Sequence, residues 1–163
     1  TGTLVLRDLK PGKRLFLFAT GTGRAPFMSL IHEPETYERF ERIILIHSVR
    51  WTNELAYRHY IEHELSDHEF FGDWVREKLI YYPTVTREKF RNEGRLTDLI
   101  ESGKLFDDLK EPPLDPANDR AMICGSSAML KDACALLDQR GFQISPHIGE
   151  QGDYVIERAF VEK

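Results

Sequence analysis

The sequence predicts an α/β fold: a doubly wound, Rossmann-like parallel sheet of five strands with helices on both faces. Two short runs, residues 14–19 and 42–47, are almost entirely apolar, which is typical of strands buried on both faces of a parallel sheet. Such runs alternate with helix-like segments, and that rhythm indicates right-handed crossovers between parallel strands. The length of 163 residues suits one domain with a sizeable core.

The strands follow one another at regular intervals along the chain. They are predicted at residues 14–19, 42–47, 79–85, 120–124 and 142–147, and a last extended segment is expected at 154–160. The third strand contains Pro83, which has no backbone donor, so we expect this strand to be weak.

Helices are predicted between the strands. They lie at residues 26–31, 52–65 and 95–102, and a further helix runs from Ser126 or Ser127 to Arg140. The helix at 52–65 is amphipathic, with Thr52 or Asn53 as its N-cap. Gly103 and Gly141 are expected to end the last two helices. The proline-rich run at 111–119 is expected to form an exposed loop.

Composition excludes several classes of protein. With 22 Lys+Arg against 27 Asp+Glu, the net charge of −5 argues against a nucleic-acid partner. The apolar runs are far shorter than the roughly 20 residues of a membrane-spanning helix, and no signal peptide is visible, so we expect a cytoplasmic protein. Two cysteines are too few for a disulfide framework or a four-ligand zinc site, so no bound metal is expected.

A Gly-x-Gly turn follows the first predicted strand, at the edge where parallel sheets bind ligands. The run is Thr20-Gly21-Thr22-Gly23-Arg24-Ala25-Pro26. Its two glycines let backbone N–H groups approach a pyrophosphate at a helix N-terminus, and Pro26 suits the first helical turn. However, Pro26 stands where a G-x-G-x-x-G motif has its third glycine, and no Walker lysine follows. The turn alone therefore fits a structural role as well as a phosphate-binding one.

The end of the second strand reads Ser48-Val49-Arg50, where proteins that bind NAD place an acid for the ribose 2′-hydroxyl. An arginine there suits a 2′-phosphate, with which it forms a charge-assisted, two-pronged contact. Arg87 and Arg95 follow the third strand. Each arginine alone resembles a solvated loop residue, but three beyond neighbouring strands favour a phosphate. The sequence therefore predicts NADP(H) rather than NAD(H).

The fourth strand ends in Cys124-Gly125-Ser126, and Met129 follows within the next helix. Gly125 permits close approach of the backbone to a ligand, and Cys124 is expected at the mouth of the cleft. A lone cysteine in a buried strand is more often a small hydrophobic core residue, so both interpretations of Cys124 stay open.

Six motifs in order along the chain resemble the NADP-binding domain of bacterial-type ferredoxin (flavodoxin)–NADP reductases. They are Gly-Thr-Gly-Arg-Ala-Pro-Phe (21–27), His-Ser-Val-Arg (47–50), Val-Thr-Arg-Glu (85–88), Gly-Arg-Leu-Thr-Asp-Leu-Ile (94–100), Cys-Gly-Ser (124–126) and Tyr-Val-Ile-Glu-Arg-Ala-Phe-Val-Glu-Lys (154–163). The resemblance covers essentially the whole chain. It implies an enzyme that passes hydride between NADP(H) and FAD and exchanges single electrons with ferredoxin or flavodoxin.

The resemblance also implies a role for each matching residue. Thr20 to Pro26 would face the pyrophosphate, and the 2′-phosphate would be held by Arg50, Arg87 and Arg95. Cys124 would lie beside the nicotinamide C4, and Glu157 would match the carboxylate near the hydride-transfer site. The C-terminal tail would contact FAD through Ala159, Phe160, Val161, Glu162 and Lys163. Plastid-type relatives instead end in a tyrosine where this chain continues past Ala159.

In that family an N-terminal β-barrel holds most of the FAD through an Arg-x-Tyr-Ser-type motif. The run Arg58-His59-Tyr60-Ile61 lacks the serine and falls in a predicted helix, so residues 1–163 are expected to be the NADP(H)-binding half of a longer, monomeric enzyme. The start at Thr1 without a methionine agrees with that expectation. Two alternatives stay open: another reductase of the superfamily serving an oxygenase or haem partner, and a non-catalytic dinucleotide-sensing or interaction domain.

Overall fold

The computed structural model describes residues 4–21 and 24–158, with the side chain of Arg158 left aside, and these residues contain one parallel sheet. Its strands are β1 (Arg14–Thr20), β2 (Arg42–Val49), β3 (Leu79–Val85), β4 (Asp119–Gly125) and β5 (Tyr154–Arg158). The strand order is β3-β2-β1-β4-β5, and every neighbouring pair is parallel. The predicted doubly wound sheet is confirmed.

Helices cover both faces of this sheet, as predicted. They are α1 (Arg24–Leu30), α2 (Pro34–Arg39), α3 (Gly72–Lys78), α4 (Leu96–Ser102), α5 (Lys104–Leu109) and α6 (Ser127–Gln139). Helices α1 to α3 pack on one face and α4 to α6 on the other. The sequence pattern does not predict the short helices α2, α3 and α5. No helix among the described residues is long and apolar enough to cross a membrane.

The central strand β1 shows why both faces need helices. Its residues Leu15 and Leu17 belong to the core beneath α1 to α3, whereas Phe16 and Phe18 belong to the core beneath α4 to α6. All four are at most 1% exposed, because successive side chains of a strand point to opposite faces. The weak strand predicted around Pro83 is β3, which lies at an edge of the sheet, where a missing donor is tolerated.

The strand predicted at residues 142–147 is wrong. The place beside β4 belongs to β5, which the sequence predicts only as a last extended segment. Within the described residues, this segment makes an isolated bridge between Ile144 and Tyr154 and no ladder. Apart from Phe142, none of its side chains is buried, so it lacks the two apolar faces that a strand inside a parallel sheet needs.

The single helix predicted at residues 52–65 is also wrong. The segment forms separate turns, a 3₁₀ turn at Thr52–Glu54, a π-helical turn at Tyr60–Glu64 and a second 3₁₀ turn at Leu65–Asp67. Its apolar residues belong to two separate clusters. Leu55 packs against Val49 and Val85, whereas Ile61 packs in the core beneath α1 to α3. One continuous amphipathic helix would present a single stripe. Neither Thr52 nor Asn53 is the N-cap residue of any of these turns.

Several helix ends agree with the sequence prediction. Ser126, rather than Ser127, is the N-cap of α6, because its Oγ accepts a hydrogen bond from the Met129 N–H at 3.2 Å. Gly103 and Gly141 follow α4 and α6 with positive φ angles of 84° and 89°.

The proline-rich run at residues 111–119 is less exposed than predicted. Asp119 belongs to β4 and is 1% exposed, and its carboxylate accepts two hydrogen bonds from the Arg14 guanidinium, at 2.8 and 2.6 Å. The same guanidinium donates to the carbonyls of Pro112 and Pro113. Arg14 therefore ties this loop to the amino end of the sheet, opposite the edge at which ligands bind.

Candidate functional site

A groove of about 580 Å³ opens at the carboxyl ends of the strands. It brings together nine of the residues that the sequence predicts to bind a cofactor: Thr20, Gly21, Ser48, Val49, Arg50, Arg87, Arg95, Ser126 and Met129. The same groove is lined by six residues that the sequence does not single out: Glu54, Thr86, Leu96, Thr97, Ala128 and Asp132. The predicted convergence of three arginines on one edge of the sheet is therefore present.

The three arginines of the groove share one property. The guanidinium groups of Arg50, Arg87 and Arg95 make no hydrogen bond and no ion pair with any other residue that the structure describes. By contrast, the Arg14 guanidinium is held by Asp119 at the opposite end of the sheet. An unpaired cluster of like charges repels itself, and an oxyanion bound between them would relieve that repulsion.

The backbone positions Arg50 and Arg87 beside each other. Beyond the last residue of β3, two backbone hydrogen bonds still join the chains: the Thr86 N–H donates to the Val49 carbonyl at 2.9 Å, and the Arg87 N–H donates to the Arg50 carbonyl at 3.0 Å. The loops that follow β2 and β3 therefore run together away from the sheet. Arg95 is the N-cap residue of α4, where an extended backbone precedes the helix.

The carboxylate of Glu54 lies on the groove without neutralising an arginine. Its Oε1 accepts hydrogen bonds from the backbone N–H groups of Arg50 and Trp51, at 3.0 and 2.9 Å. The acid thus fixes the turn that begins at Arg50, and the Arg50 side chain has no ion pair among the described residues. Glu54 therefore holds the backbone that carries the Arg50 side chain, rather than pairing with the Arg50 guanidinium.

The floor of the groove is fixed by His47, a residue that the sequence prediction did not place in the site. His47 is 1% exposed, and its Nε2 lies 2.8 Å from the carbonyl oxygen of Gly21. Burial lowers the pKa of His47, against an opposite effect of the Gly21 contact, and the nearby charge of Arg24 lowers it further. The ring is therefore neutral at pH 7, with the proton on Nε2 that donates to Gly21.

Two glycines shape the turn between β1 and α1. Gly21 has a φ of 52°, in the left-handed region, so the chain can leave β1 at a sharp angle. Gly125, at the end of β4, leaves no room for a side chain, because Thr20 and Met129 occupy the space where one would lie. The Thr20 side chain thus approaches Gly125 closely, and the approach of a ligand to Gly125 stays a prediction.

The helical part of the predicted phosphate loop lies outside the groove. Arg24 stacks over the Tyr57 ring at 5.0 Å and points Nη1 at the Gly21 carbonyl at 3.5 Å, and its Nε is buried without a partner among the described residues. Ala25 is exposed, and Pro26 borders a separate hollow of about 400 Å³ beside residues 4–7. The predicted site residues Thr22 and Gly23 lie outside the described residues.

Cys124 and Glu157 are opposite each other in the register of β4 and β5. The sequence predicts Cys124 at the mouth of the cleft, but Cys124 does not line the groove. Its side chain is fully buried in the core beneath α1 to α3. Burial raises the pKa of the Cys124 thiol to about 11, and the charge of Glu157 contributes to this. The sulfur is therefore a protonated thiol at neutral pH, which makes it a poor nucleophile. The predicted tail contacts at Ala159, Phe160, Val161, Glu162 and Lys163 lie outside the described residues.

Comparison with known families identifies the domain type. Residues 17–135 match the family model described as the oxidoreductase NAD-binding domain. The chain is 64% identical over 163 residues to the ferredoxin–NADP reductase of Pseudomonas aeruginosa, covering all of this chain and 63% of that protein. It is 46% identical over 160 residues to the flavodoxin/ferredoxin–NADP reductase of Rhodobacter capsulatus, covering 98% of this chain and 59% of that protein. The chain thus spans about three fifths of the length of these curated relatives.

A solved structure shares the fold. The crystal structure of a ferredoxin NADP⁺ reductase from Neisseria gonorrhoeae, with bound FAD and NADP, superposes with a TM-score of 0.83 at 29% sequence identity. The match covers 98% of this chain and 61% of that one.

Proposed function

The chain belongs to the oxidoreductase NAD-binding domain family, and from that premise we propose that it is the NADP(H)-binding part of a ferredoxin–NADP reductase. In the proposed enzyme, hydride passes between NADP(H) and FAD, and single electrons pass to or from ferredoxin or flavodoxin. The names of its relatives and the FAD and NADP bound in the similar crystal structure support this assignment. FAD is proposed to be held mainly by a part of the enzyme outside these residues, and the enzyme is proposed to be a cytoplasmic monomer.

One observation carries the choice of NADP(H). The guanidinium groups of Arg50, Arg87 and Arg95 border one groove without a partner among the described residues. A 2′-phosphate carries up to two negative charges and three acceptor oxygens, so it satisfies several guanidinium donors at once. The ribose 2′-hydroxyl of NAD(H) brings no charge, and no acid occupies the position of Arg50 to accept its proton.

The remaining walls of the groove are assigned to the rest of the dinucleotide. The turn at Thr20 and Gly21 faces the pyrophosphate, and the neutral His47 ring keeps the Gly21 carbonyl turned inward, away from the negative charge. The Ser126 Oγ accepts a hydrogen bond from the Met129 N–H in its cap of α6, which leaves its hydroxyl proton to donate to the dinucleotide. On this assignment β1 supplies the turn and α6 the opposite wall.

The carboxyl ends of β4 and β5 are assigned to the nicotinamide side of the site. When bound, NADP(H) supplies or accepts the hydride, and the protein residues orient it. Cys124 stays a neutral thiol that packs the strand ends, without a covalent bond to the substrate. Glu157, its register partner, places a carboxylate at the end of β5.

A titration of both cofactors against the wild type and Arg50→Ala tests the proposal. We expect wild type to prefer NADP⁺ over NAD⁺ by more than about 100-fold, which corresponds to ~2.7 kcal/mol and is within reach of two charge-assisted contacts. Arg50→Ala should weaken NADP⁺ binding by roughly 10- to 100-fold and leave NAD⁺ nearly unchanged. Calorimetry gives both affinities directly.

A matched control removes the exposed guanidinium of Arg76 from α3, away from the groove. Arg76→Ala changes the net charge by the same amount as Arg50→Ala and should leave both affinities unchanged. If Arg50→Ala weakens both cofactors equally, Arg50 contacts a group common to both, and the choice of NADP(H) loses its main support.

A further inference from the structure

The loops that follow β2 and β3 are joined by a side chain as well as by two backbone hydrogen bonds. Glu88 Oε1 accepts a hydrogen bond from the backbone N–H of Thr52 at 2.9 Å. The Thr52 hydroxyl lies 3.3 and 3.2 Å from the two carboxylate oxygens of Glu88. Glu88 directly follows Arg87 and Thr52 comes two residues after Arg50, so this contact closes the loops just beyond the two arginines. We call the Glu88–Thr52 contact the clasp.

The clasp uses an acid in a way that simple charge pairing does not explain. A carboxylate beside exposed arginines would ordinarily form an ion pair with one of them. Instead, the oxygens of Glu88 are engaged with Thr52, and neither the Arg50 nor the Arg87 guanidinium has a partner among the described residues. The negative charge lies near a groove assigned to an anion, where it opposes binding by Coulomb repulsion. The hydrogen bonds to Thr52 are therefore the favourable contacts that the structure gives this carboxylate.

We propose that Glu88 is a positioning residue that sets the preference for the 2′-phosphate by holding the Arg87 loop against the Arg50 loop through the clasp. This inference rests on the proposed function, because it concerns the same groove. The turn at Arg50 is also held by Glu54, so loss of the clasp would loosen chiefly the loop that carries Arg87. Ordering that loop on the phosphate would then cost entropy and weaken binding. The preference for NADP(H) thus depends on an acid as well as on the arginines.

The test compares two Glu88 variants with opposite expectations. The ligands are 2′-phospho-AMP and 5′-AMP, and binding to each protein is measured by calorimetry. Glu88→Ala removes the clasp and should weaken 2′-phospho-AMP binding by about five-fold because the Arg87 loop must then be ordered on binding, with 5′-AMP binding unchanged. Glu88→Gln keeps an oxygen that accepts from the Thr52 N–H, so it should restore wild-type affinity or exceed it, since the repulsive charge is gone.

Hydrogen exchange at the Thr52 amide supplies a readout independent of the ligand. Exchange should become faster in Glu88→Ala and stay near wild type in Glu88→Gln. The control Glu101→Ala, which removes an exposed acid from α4, should change neither exchange nor binding.

The outcomes separate the clasp from the function on which it rests. If both Glu88 variants bind 2′-phospho-AMP more tightly than wild type, Glu88 acts by charge alone and the clasp proposal is overturned. It is equally overturned if Glu88→Ala binds like wild type. If wild type itself does not distinguish 2′-phospho-AMP from 5′-AMP, the phosphate assignment fails and the clasp proposal fails with it.

Discussion

Gly125 lies so close to Thr20 that a Cβ on Gly125 would come within 2.3 Å of the Thr20 Oγ1. The two residues follow Ala19 and Cys124, which are register partners in β1 and β4, so they form the point at which the central strands leave the sheet. Met129 closes the same space from α6, with its sulfur 3.3 Å from the position of that Cβ. The junction of β1, β4 and α6 therefore requires a residue without a side chain.

Gly125→Ala should destabilise the protein by roughly 1–3 kcal/mol, the range for an extra methyl group in a well-packed place. Thr20 must move, so binding of NADP(H) should weaken as well. Urea unfolding measures the first effect and calorimetry the second. Adding Thr20→Ala removes the colliding oxygen, and the double variant should recover part of the lost stability. Equal stability of Gly125→Ala and wild type would contradict this packing.

The buried contact between His47 and Gly21 makes stability depend on pH. Burial lowers the pKa of His47 in the folded state, so between that pKa and the usual value near 6.5 the unfolded chain binds more protons than the folded one. Stability should therefore be complete above about pH 6.5 and fall as the pH is lowered through the folded-state pKa. Urea unfolding at pH 7.5 and pH 5.5 should show this loss.

His47→Gln removes the titrating ring and should reduce the difference in unfolding free energy between the two pH values. His147→Gln, which removes an exposed imidazole, is the matched control and should keep the wild-type difference. A pH dependence that is the same in wild type and His47→Gln would show that His47 does not titrate differently on unfolding.

The strands and the arginine edge were predictable because they depend on local patterns. Leu15 to Phe18 form an unbroken apolar run, which is enough to predict a strand covered on both faces. In parallel strands the carboxyl ends meet at one edge, so Arg50 and Arg87 had to come close together once the strands were identified.

Other features depend on contacts between distant parts of the chain. Leu55 and Ile61 both fall within the amphipathic helix predicted at residues 52–65, yet they belong to different apolar clusters, and a sequence pattern does not distinguish one cluster from two. The apolar residues Phe142 and Ile144 look like part of a strand, but β5 takes the place beside β4. His47 could have been noticed as a polar residue ending a buried strand just before Ser48, but its partner Gly21 is visible only in the fold.

The two cysteines should react slowly in the folded protein. Burial raises the pKa of Cys124 to about 11 and also raises the pKa of Cys134, so both are thiols at neutral pH. In Cys134→Ser, where Cys124 is the one remaining cysteine, alkylation by iodoacetamide at pH 7.5 should be at least about 100-fold slower than in urea. Mass spectrometry measures the rate. Rapid labelling of the folded variant would indicate an activated thiolate and a different role for Cys124.

The three groove arginines should act on one ligand group. Arg87→Ala and Arg95→Ala should each weaken NADP⁺ binding less than Arg50→Ala does, with NAD⁺ nearly unaffected. The triple variant should lose less than the sum of the single losses, because the contacts share one phosphate. Raising the salt concentration should weaken NADP⁺ more than NAD⁺, since exposed charges are screened. Strict additivity of the three losses, measured by calorimetry, would mean that the arginines bind separate groups.

Breaking the buried Arg14–Asp119 pair should be among the most destabilising single changes, because it leaves a charge buried without its partner. Arg14 and Asp119 are only 9% and 1% exposed. The Arg14 guanidinium also donates hydrogen bonds to the carbonyls of Pro112 and Pro113. Asp119→Ala leaves that buried cation with the two carbonyls and the more distant carboxylate of Glu111, so urea unfolding should show a loss of about 3–5 kcal/mol. Asp107→Ala, an exposed change on α5, should cost at most about 0.5 kcal/mol. Because the pair lies at the amino end of the sheet, the affinity of the folded Asp119→Ala protein for NADP⁺ should be unchanged, and a weakened affinity would mean that the two ends of the sheet are coupled.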